Sequence, residues 1–369
     1  MEFERLIRNT NAIQRIPAPT FNEDQRAEHM HNSFKAVGVE VVEMDPAGNV
    51  YARLGNGSGK PLVISAHLDN VFSGDTIKPA TRRDNRLYGP GVGDNAVALA
   101  GLLEIAHDYL SNDSQHPIWL VANVGEEGLG NLLGMQHIIE RFGDGALAYI
   151  VIEGMALGHI YHQGLPVRRF RIHASTEGGH AWIHAGRPSA IHELIEFGRA
   201  LLHLRRPRTK TLSVNLGLIE GGTSVNSIAS HASMDLDLRS TDASALENWI
   251  NKMERLLRQA QTDQIQLRVE AIGHRPAGRI EQNHPLVQLA VDSLTEAGVP
   301  LAGLEAGSTD ASLPLSFGLP AICIGLTNGG DAHSQNEFIE LEPLAAGYQA
   351  LTGLIDRLLY SDGVSDAIG

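Results

Sequence analysis

One stretch of the sequence decides the fold: residues 62–69 read LVISAHLD, a short apolar run that ends in His67 and Asp69. Two similar apolar runs follow at Ile118–Val124 and Ala148–Ile152. Short apolar runs separated by longer amphipathic segments are typical of buried parallel strands that alternate with helices. The sequence therefore predicts an α/β fold with a mostly parallel sheet flanked by helices.

The segments around these runs have helical or hairpin patterns. Apolar residues of Ala96–Leu110 fall on one helix face, and Leu132–Arg141 has a similar helical pattern. Upstream, Asn22–Ala36 predicts a helix, and the runs Val39–Met44 and Asn49–Leu54 predict a hairpin. We therefore expect strands and helices to alternate through the N-terminal part of the chain.

The element order changes from about Val167, where the pattern becomes β-α-β-β-α-β. The predicted elements are a strand at Val167–Ala174, a helix at Ser189–His203, strands at Thr211–Ile219 and Ser227–Arg239, a helix at Ala243–Gln261 and a strand at Ile265–Ile272. This order is the ferredoxin-like α+β pattern. It predicts a second domain at residues 167–275.

The α/β pattern resumes after this insertion. A helix at Pro285–Ala297, a strand at Ala321–Gly325 and a closing helix from Glu342 to Tyr360 are predicted. We therefore expect the first domain to be discontinuous, formed by residues 1–166 and 276–369. Two domains are consistent with 369 residues and 43% hydrophobic residues, which can supply two cores.

Composition excludes two classes of partner. The formal net charge is −14 and the pI is near 5.6, whereas nucleic-acid binders and anionic-membrane binders need a basic face. Residues 1–17 contain acidic residues and lack the apolar core of a signal peptide, and no segment is long and apolar enough to span a bilayer. We therefore expect a cytoplasmic protein.

The single cysteine, Cys323, cannot form an internal disulfide bond. It lies in the apolar run Ala-Ile-Cys-Ile, where a buried structural thiol is expected rather than a nucleophile. Cysteine catalysis is therefore not predicted.

Polar residues follow the first predicted strand and precede the first long helix. His67 and Asp69 lie at a strand carboxyl end, where open α/β sheets place their ligand sites. A histidine can bind a metal while a carboxylate accepts its other N–H, although a polar strand end is the alternative interpretation. The glycine-rich stretch Tyr88–Asn95 contains Asp94, which is either a helix N-cap or a carboxylate that bridges two cations.

Acidic residues follow the next two predicted strands. Glu126 and Glu127 come directly after the second apolar run, and adjacent carboxylates in a cleft raise each other's pKa unless a cation is near. A solvated acidic turn is the alternative interpretation. Glu153 ends the third run, and His333 lies in the glycine-rich loop Gly329–Ser334.

The order of these motifs favours one metal site over several unrelated surface features. Every predicted strand from Leu62 to Ile152 ends in a group that can bind a divalent metal, and a histidine returns after the insertion. Histidine and carboxylate ligands without thiolates suit zinc, with cobalt or manganese as alternatives. The sequence therefore predicts a metal centre at the carboxyl edge of the sheet.

With these motifs placed, the sequence resembles the M20 family of metallopeptidases, which includes tripeptidases, carboxypeptidases and N-acyl amino acid deacylases. The resemblance covers essentially the whole chain, including Gly178–Ala181, Gly221–Asn226 and Asp237–Arg239 of the inserted domain. It implies that the discontinuous domain is a zinc-exopeptidase-like catalytic domain. It also implies that the inserted domain is a lid and dimerisation domain.

The resemblance implies two metal ions, most readily zinc. Five side chains would hold them: His67, Asp94, Glu127, Glu153 and His333. Asp94 would bridge the ions, His67 and Glu153 would complete one site, and Glu127 and His333 would complete the other.

The family pattern also assigns catalytic groups. Asp69 would orient His67, and Glu126 would take a proton from the bridging water and pass it to the leaving amine. A cis peptide bond is implied between Asp94 and Asn95. In the inserted domain, the resemblance implies that His180 stabilises the oxyanion in the partner subunit's site, so that the enzyme is a homodimer. Because His173, His184 and His192 lie in the same segment, a simply exposed histidine is the alternative interpretation of His180.

Two further lid residues, Asn226 and Arg239, are candidates for binding a substrate carboxylate, because arginine can bind it with two parallel hydrogen bonds. A strand-end surface charge is the alternative interpretation of Arg239. The lid motif departs from many relatives, since Trp182 and Ile183 follow His180-Ala181.

Cues to the substrate conflict. Glutamate at position 153 is more typical of carboxypeptidases and deacylases in the family, whereas Gly307–Ala311 resembles tripeptidase-like members. The leading hypothesis is a two-metal hydrolase of small peptides or N-acylated amino acids. The alternatives are a deacylase or carbamoyl amidohydrolase rather than a peptidase, and a metal-dependent binding protein without catalysis.

Overall fold

The computed structural model describes residues 2–73, 76–204, 211–361, 363 and 367–368. The chain forms two compact units, Met1–Gly164 together with Ala277–Gly369, and Leu165–Pro276. The first unit is therefore built from two separate parts of the chain. Its catalytic role and the lid and dimerisation role of the second unit stay predictions.

The first part of the first unit contains four α-helices and eight strands among its described residues. In chain order they are α1 (Phe3–Gln14), α2 (Asp24–Val37), β1 (Val41–Met44), β2 (Val50–Leu54), β3 (Leu62–His67), β4 (Thr81–Arg83), β5 (Arg86–Tyr88), α3 (Val97–Asp108), β6 (Ile118–Asn123), α4 (Leu133–Phe142), β7 (Ala148–Glu153) and β8 (His159–Gly164). A π-helical turn at Val92–Ala96 precedes α3.

The second unit follows, and then the chain returns to the first. The second unit comprises β9 (Val167–Ser175), β10 (Gly179–His180), α5 (Ala190–His203), β11 (Leu212–Gly221), β12 (Ser227–Ile228), β13 (His231–Ser240), α6 (Ala243–Ala260) and β14 (Gln266–Arg275). The returning part comprises β15 (Gly278–Arg279), α7 (Pro285–Glu296), β16 (Gly303–Gly307), α8 (Ser312–Ser316), β17 (Ala321–Gly325), β18 (Gly329–Gly330), β19 (Phe338–Glu340) and α9 (Leu344–Tyr360).

A nine-stranded mixed sheet forms the centre of the first unit, in the order β1-β2-β6-β3-β7-β17-β8-β15 with β16 on β8. The central strands β6, β3, β7 and β17 are parallel, which confirms the predicted mostly parallel sheet. Antiparallel pairs flank them, because β2 enters from the β1–β2 hairpin and β8 runs back against β17.

Burial explains why these strands are continuous apolar runs. All six residues of β3 are buried, and so are the first five of β7, because helices such as α3 cover the sheet.

No helix in the described part of the chain is long and apolar enough to cross a membrane. The sequence analysis missed α1, although Leu6, Ile7 and Ile13 recur on one helix face. It also missed β8, whose buried positions include His162 and Gly164 and so do not form an apolar alternation.

The second unit has the β-α-β-β-α-β order that the sequence predicts. Its main sheet has the order β11-β13-β9-β14 with every pair antiparallel, and α5 and α6 pack against it through residues such as Trp249. One predicted element is wrong in detail. The single strand Ser227–Arg239 is interrupted, because β12 pairs with β10 in a separate two-stranded sheet before β13 begins at His231.

Candidate metal centre

The carboxyl ends of three neighbouring parallel strands bring the first candidate residues together. His67 is the last residue of β3, Glu153 is the last residue of β7, and β6 ends at Asn123, three residues before Glu126. Because parallel strands end at the same sheet edge, residues that are distant in sequence become neighbours. The polar residues that follow the predicted strands therefore do lie together at the carboxyl edge of the sheet.

Asp94 reaches this edge from the π-helical turn rather than from a regular helix. Its backbone angles are φ −119° and ψ 84°, outside the helical region, and the peptide bond to Asn95 is cis, as the family resemblance implies. The N-cap of α3 is Ala96, and Asp94 makes no capping hydrogen bond. The helix N-cap interpretation of Asp94 is therefore wrong.

Asn95 and Gly154 join this turn to the end of β7. The Asn95 amide donates to the Ile152 carbonyl at 2.9 Å, and its side-chain oxygen accepts the Gly154 N–H at 3.0 Å. A Cβ atom at position 154 would lie 2.0 Å from the Gly93 carbonyl oxygen. Position 154 therefore requires glycine, which explains the residue that follows Glu153.

Two groups of potential ligands share Asp94. In the first group, His67 Nε2 lies 3.0 Å from Asp94 Oδ1 and 3.7 Å from Glu153 Oε2. In the second group, His333 Nε2 lies 3.0 Å from Asp94 Oδ2 and 2.9 Å from Glu127 Oε1. Each group thus uses a different carboxylate oxygen of Asp94, the arrangement of a bridging ligand.

These distances fit a divalent metal in each group. Metal bonds of 2.0–2.2 Å in a tetrahedral shell place neighbouring ligand atoms about 3.3–3.6 Å apart, close to the measured separations. Each group offers one imidazole nitrogen and two carboxylate oxygens, which is one ligand atom fewer than a tetrahedral zinc shell holds. Imidazole and carboxylate without thiolate is a donor set that zinc, cobalt and manganese accept. The residues therefore fit a two-metal centre.

The pKa shifts of the candidate ligands are also those expected at a cation site. Burial, followed by the charge of Asp94, raises the pKa of Glu127, and burial likewise raises the pKa of Glu153. Hydrogen bonds to Asp94 and Glu127 raise the pKa of His333 to about 10. Protons and metal ions compete for the same atoms, so two cations would take over the charge compensation that these protons supply.

Asp69 connects the two ligand groups in a way that the sequence analysis did not predict. His67 Nδ1 lies 3.0 Å from the Asp69 backbone carbonyl and 3.5 Å from the carboxylate. The carboxylate accepts the backbone N–H groups of Glu126 at 3.0 Å and Glu127 at 2.8 Å, and the hydroxyl of Thr20 at 2.9 Å. The Asp69 carboxylate therefore holds the loop that carries Glu126 and Glu127, while its role in orienting His67 stays a prediction.

Glu337 is a further residue that the sequence analysis missed. Its buried carboxylate accepts the N–H groups of Gly93 at 2.8 Å, Asp94 at 2.9 Å and Gly91 at 3.1 Å. The segment 333–337 therefore contains both a candidate ligand, His333, and the carboxylate that holds the Asp94 turn. A glutamate four residues after a candidate ligand was the only sequence signal, and nothing local indicated that it is buried.

The candidate lid residues belong to the second unit. His180 is exposed on β10, and the Asn226 carbonyl accepts the Ala181 N–H at 3.0 Å, so the paired strands bring His180 and Asn226 close together. Arg239 is half-exposed and its Nε donates to Asp237 at 2.8 Å. The roles of these three residues toward the metal centre stay predictions.

Comparison with known proteins places this geometry in a family. Residues 63–357 match Peptidase family M20/M25/M40. Acetylornithine deacetylase of Vibrio campbellii is 25% identical, covering 92% of this chain and 93% of that protein. Succinyl-diaminopimelate desuccinylase of Corynebacterium glutamicum is 26% identical, covering 91% and 92%. A tripeptidase structure from Staphylococcus aureus shares the fold with a TM-score of 0.79 at 20% identity, covering 97% and 99%.

Fold, ligand groups and matches together define a metal-binding hydrolase of amide or peptide bonds. The chain belongs to peptidase family M20/M25/M40. The predicted family, enzyme class and fold class are thereby confirmed.

Replacing Glu337 tests its role as a clamp. Glu337→Ala leaves three N–H groups of the Asp94 turn without their acceptor, so we expect zinc affinity to fall about 10–100-fold. Glu337→Gln keeps one acceptor oxygen and should lose less. Isothermal titration with zinc measures the change, with Glu342→Ala at an exposed position between β19 and α9 as the matched control. Unchanged affinity in Glu337→Ala would show that the turn holds Asp94 without this residue.

Proposed function

We propose that this protein is a two-metal hydrolase that cleaves the amide bond of small peptides or N-acylated amino acids. One observation carries the proposal: two ligand groups share Asp94 through its separate oxygens, beside a loop that carries Glu126. Two-metal sites that activate water for amide hydrolysis need such a bridge and a neighbouring base. Zinc is the metal best suited to the donor set, with cobalt or manganese as alternatives.

The metals, when bound, would supply Lewis-acid polarisation of the amide carbonyl and would lower the pKa of a bound water molecule. Glu126 belongs to neither ligand group in the described part of the chain, although it is next to the ligand Glu127. Its side chain is 5% exposed, so a carboxylate here is largely shielded from bulk water. Glu126 would accept a proton from the attacking water and later give it to the leaving amine.

The loop geometry supports this assignment. Asp69 accepts the N–H groups of both Glu126 and Glu127, and Glu23 accepts the Gly125 N–H at 3.0 Å. Three consecutive backbone N–H groups of the loop are therefore held by buried carboxylates. Such support keeps a general base within hydrogen-bond reach of one position, which proton transfer requires.

Replacement of the proposed base separates metal binding from turnover. Glu126→Gln keeps the size of the side chain but cannot accept the proton, so we expect kcat to fall about 10²–10⁴-fold while two metals stay bound. Steady-state hydrolysis and metal analysis of the same sample measure both effects. Glu140→Gln, which lies exposed on α4, is the matched control. Near-normal turnover by Glu126→Gln would contradict the mechanism.

A deacylase is the second candidate, favoured by the names of two relatives that each align with more than 90% of this chain. We expect an N-acyl amino acid substrate if this likeness extends to chemistry. Rates with N-acetyl and N-succinyl amino acids, compared with dipeptides and tripeptides under zinc, cobalt and manganese, separate the two groups. Hydrolysis of tripeptides alone would favour a peptidase, and binding without hydrolysis of any amide would favour a non-catalytic protein.

A homodimer formed through the second unit is part of the proposal. β11 is an edge strand with Leu218 47% and Ile219 58% exposed, whereas the other edge strand, β14, exposes mainly polar residues. An exposed apolar edge strand is a ready surface for pairing with a second copy. In such a dimer His180 would stabilise the oxyanion of the partner's substrate, and Asn226 and Arg239 would bind a substrate carboxylate.

Charge placed on the β11 edge tests this assembly. Leu218→Glu/Ile219→Glu should convert a dimer to a monomer, because like charges then face each other across the interface. Gln266→Glu/Ala271→Glu on β14 is the matched control and should leave the mass unchanged. Light scattering coupled to size exclusion measures both. A wild-type monomer, or a double mutant that stays dimeric, would contradict the proposed interface.

A further inference from the structure

A buried carboxyl group, Asp310, lies close to the loop that carries Glu126 and Glu127 and has no role in the mechanism described above. Asp310 is completely buried in the segment between β16 and α8, within the stretch Gly307–Ala311. The Asn123 amide donates to Asp310 Oδ2 at 2.7 Å. Asn123 is the last residue of β6, so this contact is made where the loop to Glu126 begins.

Two oxygen atoms of this pair lack a hydrogen-bond partner among the described residues: Oδ1 of Asp310 and Oδ1 of Asn123. Both residues are completely buried. An ionised carboxylate has only acceptor oxygens, and a buried acceptor or charge without a partner is costly. A protonated carboxyl has an O–H donor, and Asn123 Oδ1 is an acceptor without a donor.

We propose that Asp310 is a neutral, protonated positioning residue that holds the side-chain amide of Asn123 through two hydrogen bonds. The Asn123 amide donates to Oδ2 of Asp310, and the O–H at Oδ1 of Asp310 donates to Asn123 Oδ1. One proton thus satisfies both unpartnered oxygens. The pair is equivalent to a cyclic hydrogen-bonded dimer of a carboxylic acid and an amide.

The surroundings of Asp310 favour the neutral form. Burial and then the charge of Glu126 raise the pKa of Asp310 to about 8, and Glu153 acts in the same direction. His67 and the hydrogen bond from Asn123 act in the opposite direction. The nearby thiol of Cys323 is also buried and its pKa is raised, so it supplies no charge at neutral pH. No neighbouring cationic side chain donates a hydrogen bond to Asp310 in the described part of the chain.

The position of Asn123 explains what the clamp would do. The Asn123 carbonyl accepts the Leu68 N–H at 2.6 Å, one residue after the ligand His67, and Asn123 is paired with His67 across β3 and β6. The next residues lead directly to Glu126 and Glu127. Holding the Asn123 side chain in place would therefore also hold the end of β3, which carries His67, and the end of β6, which leads to Glu126.

A neutral Asp310 also limits the negative charge near Glu126. Ionised Asp310 would add a negative charge close to Glu126, which already lies beside Glu127. Like charges in a buried cleft disfavour one another, so an ionised Asp310 would be unfavourable in this position. A protonated Asp310 supplies the hydrogen bonds without this repulsion.

The rival interpretation is an ionised Asp310 whose Oδ1 is bridged to Asn123 Oδ1 by a water molecule. Infrared difference spectra of metal-loaded wild type and Asp310→Asn at pH 6.5 distinguish the two. A carbonyl band of a protonated carboxyl that shifts in D2O and is lost in Asp310→Asn supports the proposal. Its absence from the wild type, with the ionised carboxylate band lost instead, overturns it. This readout does not depend on the proposed function.

Turnover provides the second test, and it rests on the proposed hydrolase activity. Asp310→Ala removes both hydrogen bonds and is expected to lower kcat about a hundredfold, because a small displacement of a catalytic loop has this effect. Asp310→Asn keeps one donor and one acceptor and should recover most of that loss. Equal loss in both variants would contradict a neutral clamp.

Exchanging Asn123 and Asp310 tests the pairing even if Asp310→Ala fails to fold. Asn123→Asp alone places two carboxyl groups against each other and should lower both kcat and the melting temperature. Asn123→Asp/Asp310→Asn restores an acid and amide pair in reverse order and should recover at least tenfold of the lost kcat. A double variant no better than Asn123→Asp would overturn the pairing. A wild type that shows the protonated band but hydrolyses no amide would refute the proposed function and leave the clamp intact.

Discussion

The crowding of carboxylates at one edge of the central sheet is the constraint on which the rest of the first unit depends. Asp69, Asp94, Glu127 and Glu153 all lie within the ligand groups or in direct contact with them, and most of their side-chain surface is buried. Negative charges cannot be held so close in a low-dielectric region without compensation. Two divalent cations held by these side chains would supply this compensation, and in the proposed function the same cations would also polarise the substrate amide.

The supporting structure around this edge consists mainly of backbone N–H groups that point at buried carboxylates. Asp69 holds the Glu126–Glu127 loop, Glu337 holds the Asp94 turn, and Glu23 holds Gly125. Each of these acids is more than 50 positions away in sequence from the residues that it holds. The precision of the site therefore arises from a second layer of acids, which is the usual way that metal ligands are kept in place.

The strand ends and ligand candidates could be predicted because they obey short-range rules. His67 and Glu153 end apolar runs, and parallel strands place such ends at one edge. Glu337 and Asp310 could not be predicted in the same way, because their importance comes from contacts with residues more than 180 positions away. The interruption of the predicted strand at residues 227–239 was missed for a similar reason, since pairing with β10 ends β12.

The account rests above all on Asp94 as the bridge between two metals. Crystals of the zinc-loaded protein, measured on both sides of the zinc absorption edge, test this directly. We predict two anomalous peaks about 3.5–4 Å apart, one bonded to His67 Nε2 and the other to His333 Nε2, with Asp94 bonded to both. A single peak at full zinc occupancy, or two peaks that Asp94 does not join, would contradict the account.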